Sequence, residues 1–167
     1  NESVDKVKKA YKDDFEKILP LYIYGSIEDG KKMTPDMEKA FKKLSTCIGR
    51  HDMLIKDVQH NPWVFDCFIL VGKTHFYKHD YFAGLEAFEY VSARNKKKPI
   101  RYEAMMWMLR TYNETGLFSS SQGLIDMLAE DKKIPKKYQK EYLALVADFH
   151  IKTENYKAAS KALTKAI

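Results

Sequence analysis

Three stretches of this chain repeat one arrangement of side chains, and that arrangement admits few folds. They read Phe68-x-x-Val71-Gly72-x-x-His75, Met105-x-x-Met108-Leu109-x-x-Tyr112 and Leu143-x-x-Val146-Ala147-x-x-His150. Spacings of three and four put the patterned positions on one face of a helix. After a turn, each stretch is followed by an aromatic: Tyr81, Phe118 or Tyr156. A small residue and, four further on, an apolar one come next: Gly84 with Phe88, Ser121 with Ile125, Ala159 with Leu163. Such a unit is a helix, a turn and a second helix. The small residue lets the two helices approach, and the turn aromatic is expected to wedge between them.

The pattern resembles the tetratricopeptide repeat, whose period is about 34 residues. Here the aromatics recur about 37 residues apart, and the excess lies in the links between units. These read Asn95-Lys96-Lys97-Lys98-Pro99 and Asp131-Lys132-Lys133-Ile134-Pro135. Each ends in a proline, which can open a helix because its missing N–H costs nothing in the first turn. The expected fold is all-α, a right-handed α-solenoid of tetratricopeptide-like helix–turn–helix repeats. N-terminal helices with a diverged repeat would fill 1–60. Three units would follow over 61–97, 98–134 and 135–167, as one continuous array. The chain begins at Asn1 without an initiator Met and stops at Ile167 inside a second helix. The expectation is a fragment of a longer protein.

Within the N-terminal part, Val4, Val7, Tyr11, Phe15 and Ile18 recur at helical spacing, predicting a helix from Ser3 to about residue 19. Leu21 to Tyr24 is a short apolar stretch, and Gly25 to Lys32 reads as a loop. Thr34-Pro35 predicts a helix start, with the helix running on toward Val58. No strand-period segment is long enough to count. The later helices are predicted at about 62–78, 80–94, 99–115, 117–130, 136–152 and 155–167.

No run approaches the ~18 apolar residues of a membrane span. The formal net charge is +6, and much of the excess sits at Lys96 to Lys98, Lys132, Lys133, Lys136 and Lys137. Along one edge these would suit an acidic partner or an anionic polymer, though loops are commonly lysine-rich for solubility alone. Cys47 and Cys67 are the only cysteines, too few for a zinc site or a redox motif. On consecutive helices they could lie close enough to pair in an oxidising compartment, but the expectation is two small buried residues in reduced form.

The stretch Trp63-Val-Phe-Asp-Cys-Phe-Ile-Leu-Val-Gly72-Lys-Thr-His-Phe-Tyr-Lys-His-Asp-Tyr81 and its continuation to Val91, preceded by Ile18-Leu-Pro-Leu-Tyr-Ile-Tyr-Gly25, resembles the N-terminal region of the PorW/SprE family of Bacteroidota. Ala104 to Tyr112 and Tyr142 to Tyr156 are similar as well, and the resemblance covers most of the chain. The family consists of repeat-containing lipoproteins of type IX secretion and gliding motility. The resemblance implies a periplasmic protein, tethered to the outer membrane in its full-length form, with a non-enzymatic role in the secretion machine. The lipidated cysteine of such a family is absent here.

Candidate chemistry is sparse. His75 and His79 have a spacing that can hold a metal, but His75 occupies the slot of Tyr112 and His150, and no His-Glu-x-x-His motif is present. Cys47 and His51 stand four apart with no third group. Gly72, Gly84 and Gly116 fit packing or a turn, not a phosphate loop. No catalytic, metal-binding or cofactor-binding residue is therefore expected. The aromatics follow the helical period, which assigns them to a core and argues against nucleic acid.

What remains is the face formed by the first helices of the units. It should carry Asp66, Ile69, Lys73 and Phe76, then Met106, Arg110 and Asn113, then Ala144, Asp148 and Ile151. Lys73, Phe76, Met106, Arg110, Asn113 and Asp148 are the expected partner-binding residues, and the partner another protein, as a secretion component or an extended peptide segment. The alternative is a basic edge that binds a glycan, a cell-wall polymer or nucleic acid, marked by steep salt dependence.

Overall fold

The computed structural model describes residues 2–56, 58–96 and 98–166. Asn1, Ile167 and Lys97 of the first basic link lie outside the described residues. The fold is all-α, with 74% of the described residues helical. Eight helices occur among the described residues: α1 (Glu2–Ala10), α2 (Ile27–His51), α3 (Trp63–Tyr77), α4 (Tyr81–Arg94), α5 (Ile100–Thr115), α6 (Phe118–Glu130), α7 (Lys136–Lys152) and α8 (Tyr156–Ala166). A two-residue antiparallel hairpin, β1 (Leu54–Ile55) with β2 (Val58–Gln59), joins α2 to α3. No helix is long and apolar enough to cross a membrane among the described residues.

From α3 onward the helices fall where the periodicity predicts, within about two residues. The N-terminal part differs in three places. First, α1 stops at Ala10, although the helical pattern continues to residue 18. Val4 is buried against Met33 and Met37 of α2, but Phe15 and Ile18 have nothing to pack on and are exposed. A helix that buries no face is marginal at this length, and Asp13 and Asp14 would meet the negative end of its dipole.

Second, α2 starts at Ile27, inside the expected loop, and passes through Pro35. A capping box fixes that start. The Ser26 hydroxyl oxygen accepts from Asp29 N–H at 3.2 Å, and the Asp29 carboxylate accepts from Ser26 N–H at 3.0 Å. Gly30, Met33 and Met37 then bury one continuous face across the proline. Third, α2 ends at His51 rather than near Val58. The buried Gln59 side chain holds the hairpin that follows: its Oε1 accepts from Met53 N–H at 3.1 Å and Asn61 N–H at 2.9 Å. With Val58 exposed and Gln59 buried, local hydrogen bonding rather than apolar alternation sets these strands.

α3 and α4 pack as a pair, as do α7 and α8, and α4 lies along α5. α5 also meets α3, α6 and α7 directly, whereas α6 barely touches α7. The closest approach is at the two patterned glycines of the first pair. A Cβ on Gly84 would stand 3.2 Å from the Gly72 carbonyl oxygen, and one on Gly72 would enter the Phe88 ring. Phe65, Phe76, Phe88, Val91 and Trp107 form one core cluster, and Met105, Met106, Leu109, Leu124, Leu145 and Phe149 belong to the next. The turn aromatics behave unequally. Tyr81 packs on Phe76 at 5.4 Å and Phe118 on Phe149 at 6.0 Å, but Tyr156 is half exposed.

Candidate protein-binding face

The first helices α3, α5 and α7 stand side by side, and salt bridges cross from each to the next. Lys73 Nζ lies 2.9 Å from Glu103 Oε1, joining α3 to α5. Arg110 Nη2 lies 2.7 Å from Glu141 Oε1, joining α5 to α7. Lys152 of α7 pairs with Glu114 of α5 and stands 3.6 Å from Asp148. Partly screened pairs of this kind add little stability singly, but their geometry sets the register between helices.

These contacts redefine the expected partner-binding residues. Lys73 and Arg110 remain partly accessible, but each cation is already paired, and Lys73 also sits 5.1 Å from the Trp107 ring centroid. Phe76, Met106, Asn113 and Asp148 do not line an open floor, because all four are buried. Met106 belongs to the core between α5, α6 and α7. Asn113 ties three helices together: its Nδ2 donates to Leu145 O at 3.1 Å and Asp148 Oδ2 at 2.9 Å, and its Oδ1 accepts from the Ser121 hydroxyl at 2.9 Å. Helical spacing alone cannot separate side chains that point at solvent from those that point at the neighbouring first helix.

Phe76 is covered by a part of the chain that the helical pattern does not reach. The irregular segment Leu21–Gly25 crosses α3 and α5. Its Tyr22 and Tyr24 rings stand side by side, 5.8 Å apart and 9° from parallel. Tyr24 meets Phe76 edge-on at 4.9 Å. The Arg110 guanidinium lies 4.8 Å from the Tyr22 ring and 4.8 Å from that of Trp107, a cation held between two aromatic faces. Burial pushes the Tyr22 and Tyr24 hydroxyls above their ordinary pKa, and the Arg110 charge offsets part of that rise. The sequence signal for this cover is a period-two Tyr-x-Tyr just after Pro20, on a short apolar stretch. Between the segment and α1 is a cavity of about 540 Å³, lined in part by Tyr11, Ile23, Glu114 and Lys152.

The other candidates are engaged separately. His75 Nδ1 is 2.9 Å from Asp80 Oδ2, while His79 Nδ1 is 2.8 Å from the Tyr81 hydroxyl and its ring fills the space above Gly30. The two imidazoles thus face different partners. The Cys47 and Cys67 sulfurs approach to 3.7 Å as free thiols, and burial pushes Cys67 up to about 11. In the basic links Lys96, Lys98, Lys132, Lys133, Lys136 and Lys137 are exposed, with Lys98 over Phe65 at 5.7 Å and Lys137 over Tyr138 at 4.5 Å. No protein-family model matches the chain, and no curated protein matches it.

Proposed function

We propose that this chain is a non-enzymatic protein-interaction scaffold, a right-handed α-solenoid of tetratricopeptide-like units that holds a segment of another protein on the α3–α5–α7 face. One observation carries the reading: a non-helical segment, the chain's own Leu21–Gly25, lies on that face with its aromatic side chains seated against Phe76 and Arg110. Repeat arrays use such surfaces to grip linear segments. The resemblance to the PorW/SprE family supplies the proposed setting. That setting is the periplasm, with the full-length protein tethered to the outer membrane and a component of the type IX secretion and gliding machinery as partner.

The test is capture from a Bacteroidota cell envelope, with the wild-type chain and Arg110→Ala as parallel baits and mass-spectrometric identification. Secretion components are expected on the wild type and several-fold fewer on the variant. Equal recovery on both would remove the face from the reading. Recovery of glycan or nucleic acid alone, lost at high salt, would instead assign function to the exposed lysine links.

A further inference from the structure

We infer that Leu21–Gly25 is a built-in competitor. The α3–α5–α7 face is a receptor for a non-helical peptide that presents two aromatic side chains two residues apart, and the strap must leave before such a partner binds. This rests on the scaffold reading and gives its ligand a chemistry.

Three features of the strap point the same way. It is held by side chains: no backbone hydrogen bond engages residues 18–25 among the described residues. It is slackly tethered on its N-terminal side, because residues 11–20 form no helix or strand and are exposed throughout, so the strap can swing about the Ser26 cap while α1 stays on α2. And it fits the face imperfectly. The Tyr24 hydroxyl is buried without a hydrogen-bond partner, and so is Arg110 Nε. An unpartnered buried polar atom is costly, so a ligand with a phenyl ring at the second position would fit better than the strap itself. The tether offsets this deficit, since a linked segment acts at an effective concentration in the millimolar range. Self-occupancy weakens the apparent affinity of any competitor by the fraction of time the face is open.

The probe is a fluorescent peptide with the sequence of residues 18–27, titrated by anisotropy into the full chain and into Tyr22→Ala/Tyr24→Ala. The double variant is expected to bind the peptide about tenfold or more tightly than the wild type, because its own strap no longer competes. Replacing the second tyrosine of the peptide by phenylalanine should tighten binding to both proteins, and replacing both tyrosines by alanine should abolish it. Tyr22→Ala alone removes only the half-buried ring. It should give an intermediate affinity, and it serves if the double variant loses its helical signal. Peptide binding to neither protein, or equally to all, overturns the inference. The envelope capture with Arg110→Ala still judges the scaffold reading by itself. A concentration-dependent dimer that the free peptide dissolves would make the occupant a second copy's strap, and would overturn the assignment to a separate partner.

Discussion

Alanine at Gly72 is the most direct test of how the first helix pair is built. The added Cβ would stand 2.4, 2.6 and 2.8 Å from three atoms of the Phe88 ring. Carbon atoms in contact sit about 3.5–4.0 Å apart, so the ring would have to retreat by about 1 Å. It has nowhere to go: Phe88 is fully buried and stacks on Trp107 at 5.8 Å. Overpacking of this kind costs about 1–3 kcal/mol, and the clash at three atoms argues for the upper half of that range. The better helix propensity of alanine offsets about 0.8–1.0 kcal/mol. The net loss is about 1–2 kcal/mol, or a Tm lower by roughly 2–8 °C in a chain of this size. Gly123→Ala is the matched control, since a Cβ there meets nothing within 4 Å on α6 and only the propensity gain of about 0.5–1 kcal/mol remains. Thermal and urea unfolding followed by ellipticity measures both. If Gly72→Ala is as stable as Gly123→Ala, the close approach of α3 and α4 does not depend on this glycine and the packing argument fails.

Other perturbations follow from the same contacts. Asn113→Ala strips a donor from the buried Asp148 carboxylate and an acceptor from the buried Ser121 hydroxyl. The loss should be about 2–4 kcal/mol in urea unfolding, and one below about 0.5 kcal/mol would refute the three-helix tie. Oxidised glutathione should join Cys47 to Cys67, removing both free thiols and stabilising the chain by about 3 kcal/mol through the short loop it closes. Thiol titration and thermal scans with and without reductant check this, and two persistent thiols would refute it. Because the Cys67 thiol is held near 11, its alkylation should be slow at pH 8 and accelerate as the pH climbs toward that value. Burial raises Tyr22, Tyr24 and Tyr77 above the ordinary 10.0 and Tyr81 to about 12. Above pH 10 the unfolded chain releases protons that the folded chain keeps. The stability contributed by these groups is therefore complete below 10 and lost as the pH rises beyond it. Ellipticity should fall together with tyrosinate absorbance, and titration of all 11 tyrosines near pH 10 with the helices intact would refute it.

The six helices from Trp63 to Ala166 were legible because each carries its own apolar period and is bounded by a proline, a glycine or a polar link. The N-terminal part was not, for two physical reasons. A periodic pattern states what a helix could bury but not whether a surface is there to receive it, which is why Phe15 and Ile18 misled. And a proline scores as a helix opener, although the Ser26–Asp29 box had already opened α2 and the buried row Gly30, Met33 and Met37 carried it past Pro35. The candidate face was legible as a set of positions: Lys73, Phe76 and Arg110 do stand together there. Its condition was not. The salt bridges to Glu103 and Glu141, and the seating of Tyr22 and Tyr24, join residues 30 to 88 positions apart that no local pattern connects.

The light grip on α6 has a dynamic consequence. Successive helix pairs are joined by unlike seams: α4 lies along α5, while α6 barely reaches α7 and α5 meets α7 directly instead. α6 is thus held from one side, by α5, whereas α4 is held from two, by α3 and α5. Amide exchange in α6 is accordingly expected to outpace that in α4.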